Sequence, residues 1–390
     1  MSSQLPLAHR MADIEPFHVM ALLARAHELE AAGRDVVHME IGEPDFASPD
    51  AVVEAGVRAL TGGRTRYTAA IGIPELREAI AAHYARRFDL HIDPARVIVT
   101  PGASGALLLA LAATVNPGEQ VLMTDPGYPC NRHFVRFLDG QPVSLAVDAN
   151  SRYQLTAEAV AANWLHHTRA VMLASPSNPT GTTLVPSELC AILETVRPRG
   201  GYLILDEIYQ GLLYDGVPSS ALAISDEVII INSFSKYFYM TGWRLGWLVV
   251  PPSLSEAMER LAQNLFLSPS APAQYAALAA LDPATDALLE ERREAFVERR
   301  DFLMPALREL GFQIPVTPDG AFYIYADCSA LTDDSFAFAR QLLETQAVAI
   351  TPGIDFGSHR PECHVRFAYT TGLERLAVGV KRIADFVAST

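Results

Sequence analysis

Five short apolar runs, "RVIVT", "QVLMTD", "AVMLAS", "YLILDE" and "VIIINS", recur along the chain, and helical periodicities separate most of them. Uninterrupted runs of this length suit strands buried on both faces. Their alternation with helices predicts an α/β fold, a largely parallel sheet covered by helices on both sides. Ahead of them, "PFHVMALLARAHELEAAG" has the period of an amphipathic helix closing at Gly33, and "VVHMEIG" reads as a short strand entering the turn "EPDFASPD". After "PPSLSEAMERLAQ" the pattern changes. A long charged helix over residues 283–310 leads to "PDGAFYIYAD", a further helix, "VAITPG", "CHVRFAY" and a terminal helix. This tail predicts a smaller α+β unit that the N-terminal helix and strand join. The expected division is a large domain over 46–285 and a small domain made of 1–45 and 286–390.

Several runs end in polar or glycine-rich residues. "RVIVT" gives "PGASG", "AVMLAS" gives "PSNPTG", "YLILD" gives "EIYQ" and "VIIINS" gives "FSK". Open α/β sheets bind ligands at the carboxyl edge of their strands, so these four loops are expected to converge on one site.

Composition narrows the partners. The chain has 390 residues, 50% of them hydrophobic, enough for a large core and too many for one small domain. A formal net charge of -15 and a pI near 5.2 oppose binding to a phosphate backbone, so no nucleic acid is expected. Cys130, Cys190, Cys328 and Cys363 form no CxxC pair, and a chain this size needs no disulfide staples. The N-terminus lacks an apolar h-region, and "ALLLALAATV" is too short to span a bilayer. A cytoplasmic protein without a membrane partner is expected. His166 and His167 lack a helical partner at ligand spacing and read as surface residues, so no metal site is expected.

The candidate chemistry starts at "NSFSKYFYMTGWRLGW", residues 232–247. An amine kept among apolar neighbours, Lys236, tends to lose its proton and become a nucleophile, whereas Arg244 stays charged and suits a permanent anion such as phosphate. A turn between two strands, with a solvated lysine and a surface arginine, fits the same stretch. In "TPGASG" the backbone N–H groups of Ala103 and Ser104 open a helix and could cradle a phosphate; a tight turn with a serine cap is the plainer reading. Ser233 and Arg244 would add a hydroxyl and a guanidinium fork. Asp206, ending "YLILD", is a carboxylate at the sheet edge that needs a cation, and a protonated pyridine nitrogen would serve; a helix cap or an ion pair would also occupy it. Tyr209 and Asn178 can donate to a phenolate oxygen on such a ring, and Tyr128 in "DPGYPCN" can stack on its face, although each singly suits a turn or a core. Together these groups describe pyridoxal 5'-phosphate.

With these residues in place, the chain resembles the fold-type I pyridoxal-phosphate enzymes, specifically the class I/II aminotransferases of the aspartate aminotransferase superfamily. The resemblance runs from "IGEPDF" to "HVRFAY" and takes in "YTAAIGIPELREAI", "SNPTG", "DEIY", "SFSK" and "GWRLGW" in the family's order. It implies a three-layer large domain with a smaller α+β domain. It also implies that Lys236 holds the cofactor as a Schiff base, that Asp206 pairs the ring nitrogen, that Tyr209 and Asn178 meet the phenolic oxygen and that Tyr128 covers the ring. Ser104, Ser233 and Arg244 would bind the phosphate, and Tyr67 would reach it from the other subunit of a homodimer. Arg366 in "HVRFAY" would grip the substrate α-carboxylate with Asn178 and the backbone of Gly42, although an arginine within a strand can also simply pair with a neighbouring acid. Ala103 stands where the family commonly has glycine, a change that spares backbone donation.

The activity implied is transfer of an amino group between an amino acid and a 2-oxo acid. The alternative on the same constellation is a β-lyase or synthase. A non-catalytic sensor of the kind fused to a DNA-binding module is opposed by the net charge and by a helix that starts near residue 16. No second arginine stands out for an acidic side chain, and Phe17, Tyr128 and Tyr323 are candidate pocket walls, which favours neutral or aromatic donors.

Overall fold

The computed structural model describes residues 7–389 except 215 and 217. A short strand, β1 (Val37–His38), precedes seven strands that form one sheet: β2 (Val97–Thr100), β3 (Gln120–Asp125), β4 (Gln141–Ala146), β5 (Thr168–Ala174), β6 (Tyr202–Asp206), β7 (Ile229–Ser233) and β8 (Gly246–Val249). Their order is β2-β8-β7-β6-β5-β3-β4. Strand β8 runs antiparallel to both neighbours, and every other pair is parallel.

Both faces of this sheet are buried, which is why its strands read as continuous apolar runs. Ile98, Val121, Met172, Ile204 and Ile231 pack into the core on one face, and Val99, Leu122, Val171, Leu205 and Ile230 into the core on the other. Each such side chain contributes about 1.5–3 kcal/mol by leaving water. Local signals start the covering helices. Pro74, Pro129 and Pro186 stand at first helical positions, and the Thr156 hydroxyl caps the helix Ala157–Asn163 through the amide of Ala159.

Two strands of the sheet are absent from the sequence reading. Strand β4 lies at the edge, mostly half-exposed, and contains Pro142, which an edge tolerates and a central strand does not. Strand β8 is short and opens at Gly246, directly after Arg244 and Leu245, so it carries little periodicity of its own. Its position matters more than its length. The chain leaves β7, makes the Lys236 loop and returns alongside itself, closed by a bond from the Phe234 amide to the Leu245 carbonyl at 3.1 Å.

The rest of the chain builds β9 (Tyr323–Asp327), β10 (Val348–Ala349), β11 (Thr351–Pro352) and β12 (His364–Ala368). Strand β12 lies between β11 and β9, antiparallel to both, and β1 pairs in parallel with β10, so the N-terminal strand does join the C-terminal segment. The predicted charged helix over 283–310 is present as Pro283–Glu309, capped by Asp282. The N-terminal helix spans His18–Ala31, and "VAITPG" divides into two short strands at Ile350. Among the described residues, no helix is long and apolar enough to cross a membrane.

Candidate active site

The carboxyl ends of β2, β5, β6 and β7 open into one cavity of about 410 Å³, as the strand endings predict. Ala103 and Ser104 reach it from the first helical turn after β2, Tyr128 from after β3, Asn178 from after β5, and Asp206 and Tyr209 from β6 and its loop. Ser233 and Lys236 come from β7 and its loop, with Arg244 just ahead of β8. The opposite wall is Phe17, Gly42, Tyr323 and Arg366, from the N-terminal segment, β9 and β12.

Lys236 sits in the loop between antiparallel strands, flanked by buried Phe234, Tyr237 and Phe238. Its ε-amine donates to the carbonyl of Gly42 at 2.5 Å. Removal from water lowers its pKa to about 8, and the charges of Arg366 and Arg244 push the same way against Glu43 and Asp206. The solvated-turn reading therefore does not hold for this lysine. Asp206 is buried and accepts the backbone N–H of Ile208 at 3.0 Å. Burial raises its pKa to about 6, partly offset by that hydrogen bond and by Lys236. It makes no ion pair among the described residues. The next carboxylate, Glu207, is held instead by the Ser220 hydroxyl and the Ala221 amide, each at 2.8 Å, and burial raises its pKa to about 7. Strand alternation thus points one acid at the cavity and the other away from it.

Arg366 lies in β12, opposite Tyr325 of β9 and Thr351 of β11. Its guanidinium donates to Asn178 Oδ1 at 2.8 Å, to Thr351 Oγ1 at 3.2 Å and to the carbonyl of Glu40, while its Nε has no partner. The Tyr323 ring lies 4.3 Å from the guanidinium carbon and the Phe356 ring 4.9 Å. All of these acceptors are neutral. Neither Arg366 nor Arg244 is ion-paired among the described residues, so the neighbouring-acid reading of Arg366 fails and the cavity holds two uncompensated guanidinium charges. The Tyr209 and Tyr323 hydroxyls share a hydrogen bond of 2.8 Å.

At the other end, backbone approaches backbone so closely that only glycine fits. A Cβ on Gly246 would lie 2.7 Å from the carbonyl carbon of Gly102 and 2.8 Å from the amide nitrogen of Ala103. Gly102 itself has φ +73, and a Cβ there would lie 2.9 Å from the Arg244 guanidinium. The first turn of the helix Gly102–Thr114 is thereby set beside Arg244, with its N–H groups at the cavity. The Ser233 hydroxyl donates to Ser235 Oγ at 2.9 Å or to the Leu245 carbonyl at 3.1 Å, which leaves the Ser235 proton available. Ser235 also lines the cavity, a site residue beyond those the sequence analysis singles out, and its place in the "SFSK" run is its only sequence signal. Glu43, Met20 and Thr241 line it as well, and no local pattern marks them.

Tyr67 is the one candidate that the chain does not bring to the cavity. It is 81% exposed, and Val57 and Leu60 nearby in sequence are 52% and 57% exposed.

The family model "Aminotransferase class I and II" matches residues 34–383. A valine–pyruvate aminotransferase of Mycobacterium tuberculosis is 39% identical, across 97% of this chain and 98% of that protein. An aspartate/prephenate aminotransferase of Thermus thermophilus is 36% identical, across 97% of this chain and 98% of that protein. The crystal structure of an aminotransferase from Mycobacterium tuberculosis superposes with a TM-score of 0.95 at 38% identity, covering 99% of this chain and all of that one.

Proposed function

The chain belongs to the class I and II aminotransferases and is a transaminase; on that premise we propose that it uses pyridoxal phosphate held by Lys236 and prefers neutral or aromatic amino donors. One observation carries the reading. An amine lowered to about 8 faces a buried carboxylate, between two arginines that make no ion pair among the described residues. Such a site is built to receive two anions, a phosphate beside Arg244 and an α-carboxylate on Arg366. The chain's residues fit the cofactor at each end: the glycine-tight first turn, Ser233, Ser235 and Arg244 at the phosphate, and Asp206 at the ring nitrogen.

Pyridoxal phosphate, when bound, supplies an aldehyde that captures amino groups and a ring that takes up the electrons released at Cα. Asp206 would hold the proton on the ring nitrogen. Asn178, with its oxygen engaged by Arg366, keeps amide N–H groups that would serve the phenolic oxygen together with Tyr209. Tyr128 would cover the ring. Arg366, pinned by neutral acceptors, would orient the carboxylate so that Cα faces Lys236, whose amine would move the Cα proton. Gly42 supplies the carbonyl that steadies this amine. On the proposed division into a domain over 46–285 and one of 1–45 with 286–390, the cofactor groups would belong to the first, and Arg366 and Gly42 of the carboxylate grip to the second, with Asn178 reaching them from the first.

The donor preference rests on the cavity walls. Both arginines that line the cavity have tasks, and Phe17, Tyr128 and Tyr323 offer rings, not charge, to a side chain. Two relatives of similar identity are named for valine and for aspartate, so the pocket and not the overall likeness carries the preference. The test is a panel of amino donors with and without a 2-oxo acid acceptor. Turnover should need the acceptor and favour neutral or aromatic donors. Ammonia released without an acceptor would point to a β-lyase.

The lowered amine has a pH signature. Capture of added pyridoxal phosphate by the apo-protein should rise with pH as Lys236 loses its proton and level off above about 8; an ordinary lysine would keep accelerating to about 10.4. Stopped-flow absorbance measures this, and a rise continuing beyond that plateau would contradict the desolvated amine.

We assign Tyr67 to the partner's phosphate in a homodimer, since it stands exposed on its own chain and away from that chain's cavity. Tyr67→Phe should weaken cofactor binding by about 1.5–3 kcal/mol. Refolding it together with Lys236→Ala should give about a quarter of sites both groups intact, under random pairing in a closed dimer. Activity above either parent supports a shared site, and merely diluted Tyr67→Phe activity rules it out.

A further inference from the structure

The helix His18–Ala31 is started by a carboxylate from the far end of the chain. Its own N-cap residue, Phe17, makes no side-chain bond, and its first turn holds no acid. Asp355 instead accepts the backbone N–H groups of His18 and Val19, each at 2.8 Å and one on each carboxylate oxygen. Asp355 is 1% exposed. A buried carboxylate and the unpaired amides of a first turn each satisfy a need of the other, so this contact fixes where the helix begins. Phe17, Val19 and Met20, at that beginning, all line the cavity.

The loop that carries Asp355 is tied to the rest of the site. Its neighbour Phe356 packs against the guanidinium of Arg366, and the Phe356 carbonyl accepts the amide of Gly127, next to Tyr128. The Ser358 amide and hydroxyl donate to Asp125, at the end of β3, at 2.9 and 3.0 Å. One short loop therefore connects the carboxylate grip, the sheet edge and the helix that walls the cavity.

We propose that Asp355 is a positioning residue for donor selectivity: by capping the helix His18–Ala31 it holds Phe17 and Met20 against the part of the cavity that receives the donor side chain. The proposal rests on the transaminase site described above and adds to it a residue that touches neither cofactor nor substrate. Large apolar side chains reach Phe17 and Met20, and the smallest do not, so loss of the cap discriminates between donors.

The test compares wild type with Asp355→Asn, which keeps the shape and one acceptor but sets an amide N–H against a backbone N–H. kcat/KM should fall roughly tenfold for phenylalanine or leucine, mainly through KM, and less than about threefold for alanine. Hydrogen exchange at His18 and Val19 should accelerate, with bound cofactor unchanged. Phe17→Ala should shift selectivity the same way, and the double variant should lie close to Phe17→Ala alone, because both act through one wall. Equal losses for all donors, additive losses, or unchanged exchange would overturn the proposal. Should Asp355→Asn not fold, Phe17→Ala and Met20→Ala on the wild-type background decide it: losses that do not depend on donor size overturn it. If the wild type transaminated no amino acid, the reading of the site would fall instead, a distinct outcome.

Discussion

Lys236→Ala is expected to abolish transamination, a loss of at least about 10⁴-fold, because one side chain supplies both the nucleophile and the proton carrier. The replacement leaves the Gly42 carbonyl without its donor and the cavity without its amine. No other lysine can take over. The chain holds two lysines in 390 residues, and the second, Lys381, is on the exposed side of the terminal helix. Buried Phe234, Tyr237 and Phe238, which shape the loop, are untouched, so the fold should survive. The cradle of Ala103, Ser104, Ser233 and Arg244 is also intact and should still retain pyridoxal phosphate without a covalent link. Steady-state turnover with the best donor measures the loss. Activity of more than a few per cent of wild type would remove Lys236 from the chemistry.

Arg366→Lys keeps the charge and loses the fork. A single ammonium cannot serve Asn178 Oδ1, Thr351 Oγ1 and the Glu40 carbonyl in the present geometry and also present two parallel donors to a carboxylate. Truncating one member of a desolvated, hydrogen-bonded charge pair costs about 2–5 kcal/mol. That corresponds to roughly 30-fold to several-thousand-fold in kcat/KM. The loss should apply to every amino donor, large or small, since all share the α-carboxylate, and cofactor content should not change. This separates it from Asp355→Asn, whose effect should depend on side-chain size. Unchanged kcat/KM across donors would place the substrate carboxylate elsewhere.

Much of the fold could be read from the chain because its sheet is buried on both faces. Runs such as "YLILD" and "VIIINS" mark central strands, and their polar endings mark the edge where ligands bind. Lys236, Asp206, Asn178 and Arg366 were legible for the same reason, each standing within or next to such a run. Strand β4 was hidden by half-exposed edge residues and β8 by its brevity. The Asp355 cap was hidden because its partners lie more than 300 positions away, and no local periodicity records a hydrogen bond across that separation. Ser235 stood in plain view beside Ser233, but only the direction of the Ser233 bonds shows which hydroxyl keeps a free proton. Tyr67 is the reverse case: its proposed partner is a second chain, and a single chain leaves it in solvent.

The scarcity of lysine makes the central assignment directly measurable. Borohydride reduction of the cofactor-loaded protein followed by peptide mass mapping has two lysines to choose between. The expected result is the reduced cofactor adduct on Lys236 alone, near one per chain, with Lys381 unlabelled. An adduct on Lys381, or no adduct on a protein that still transaminates, would contradict the account.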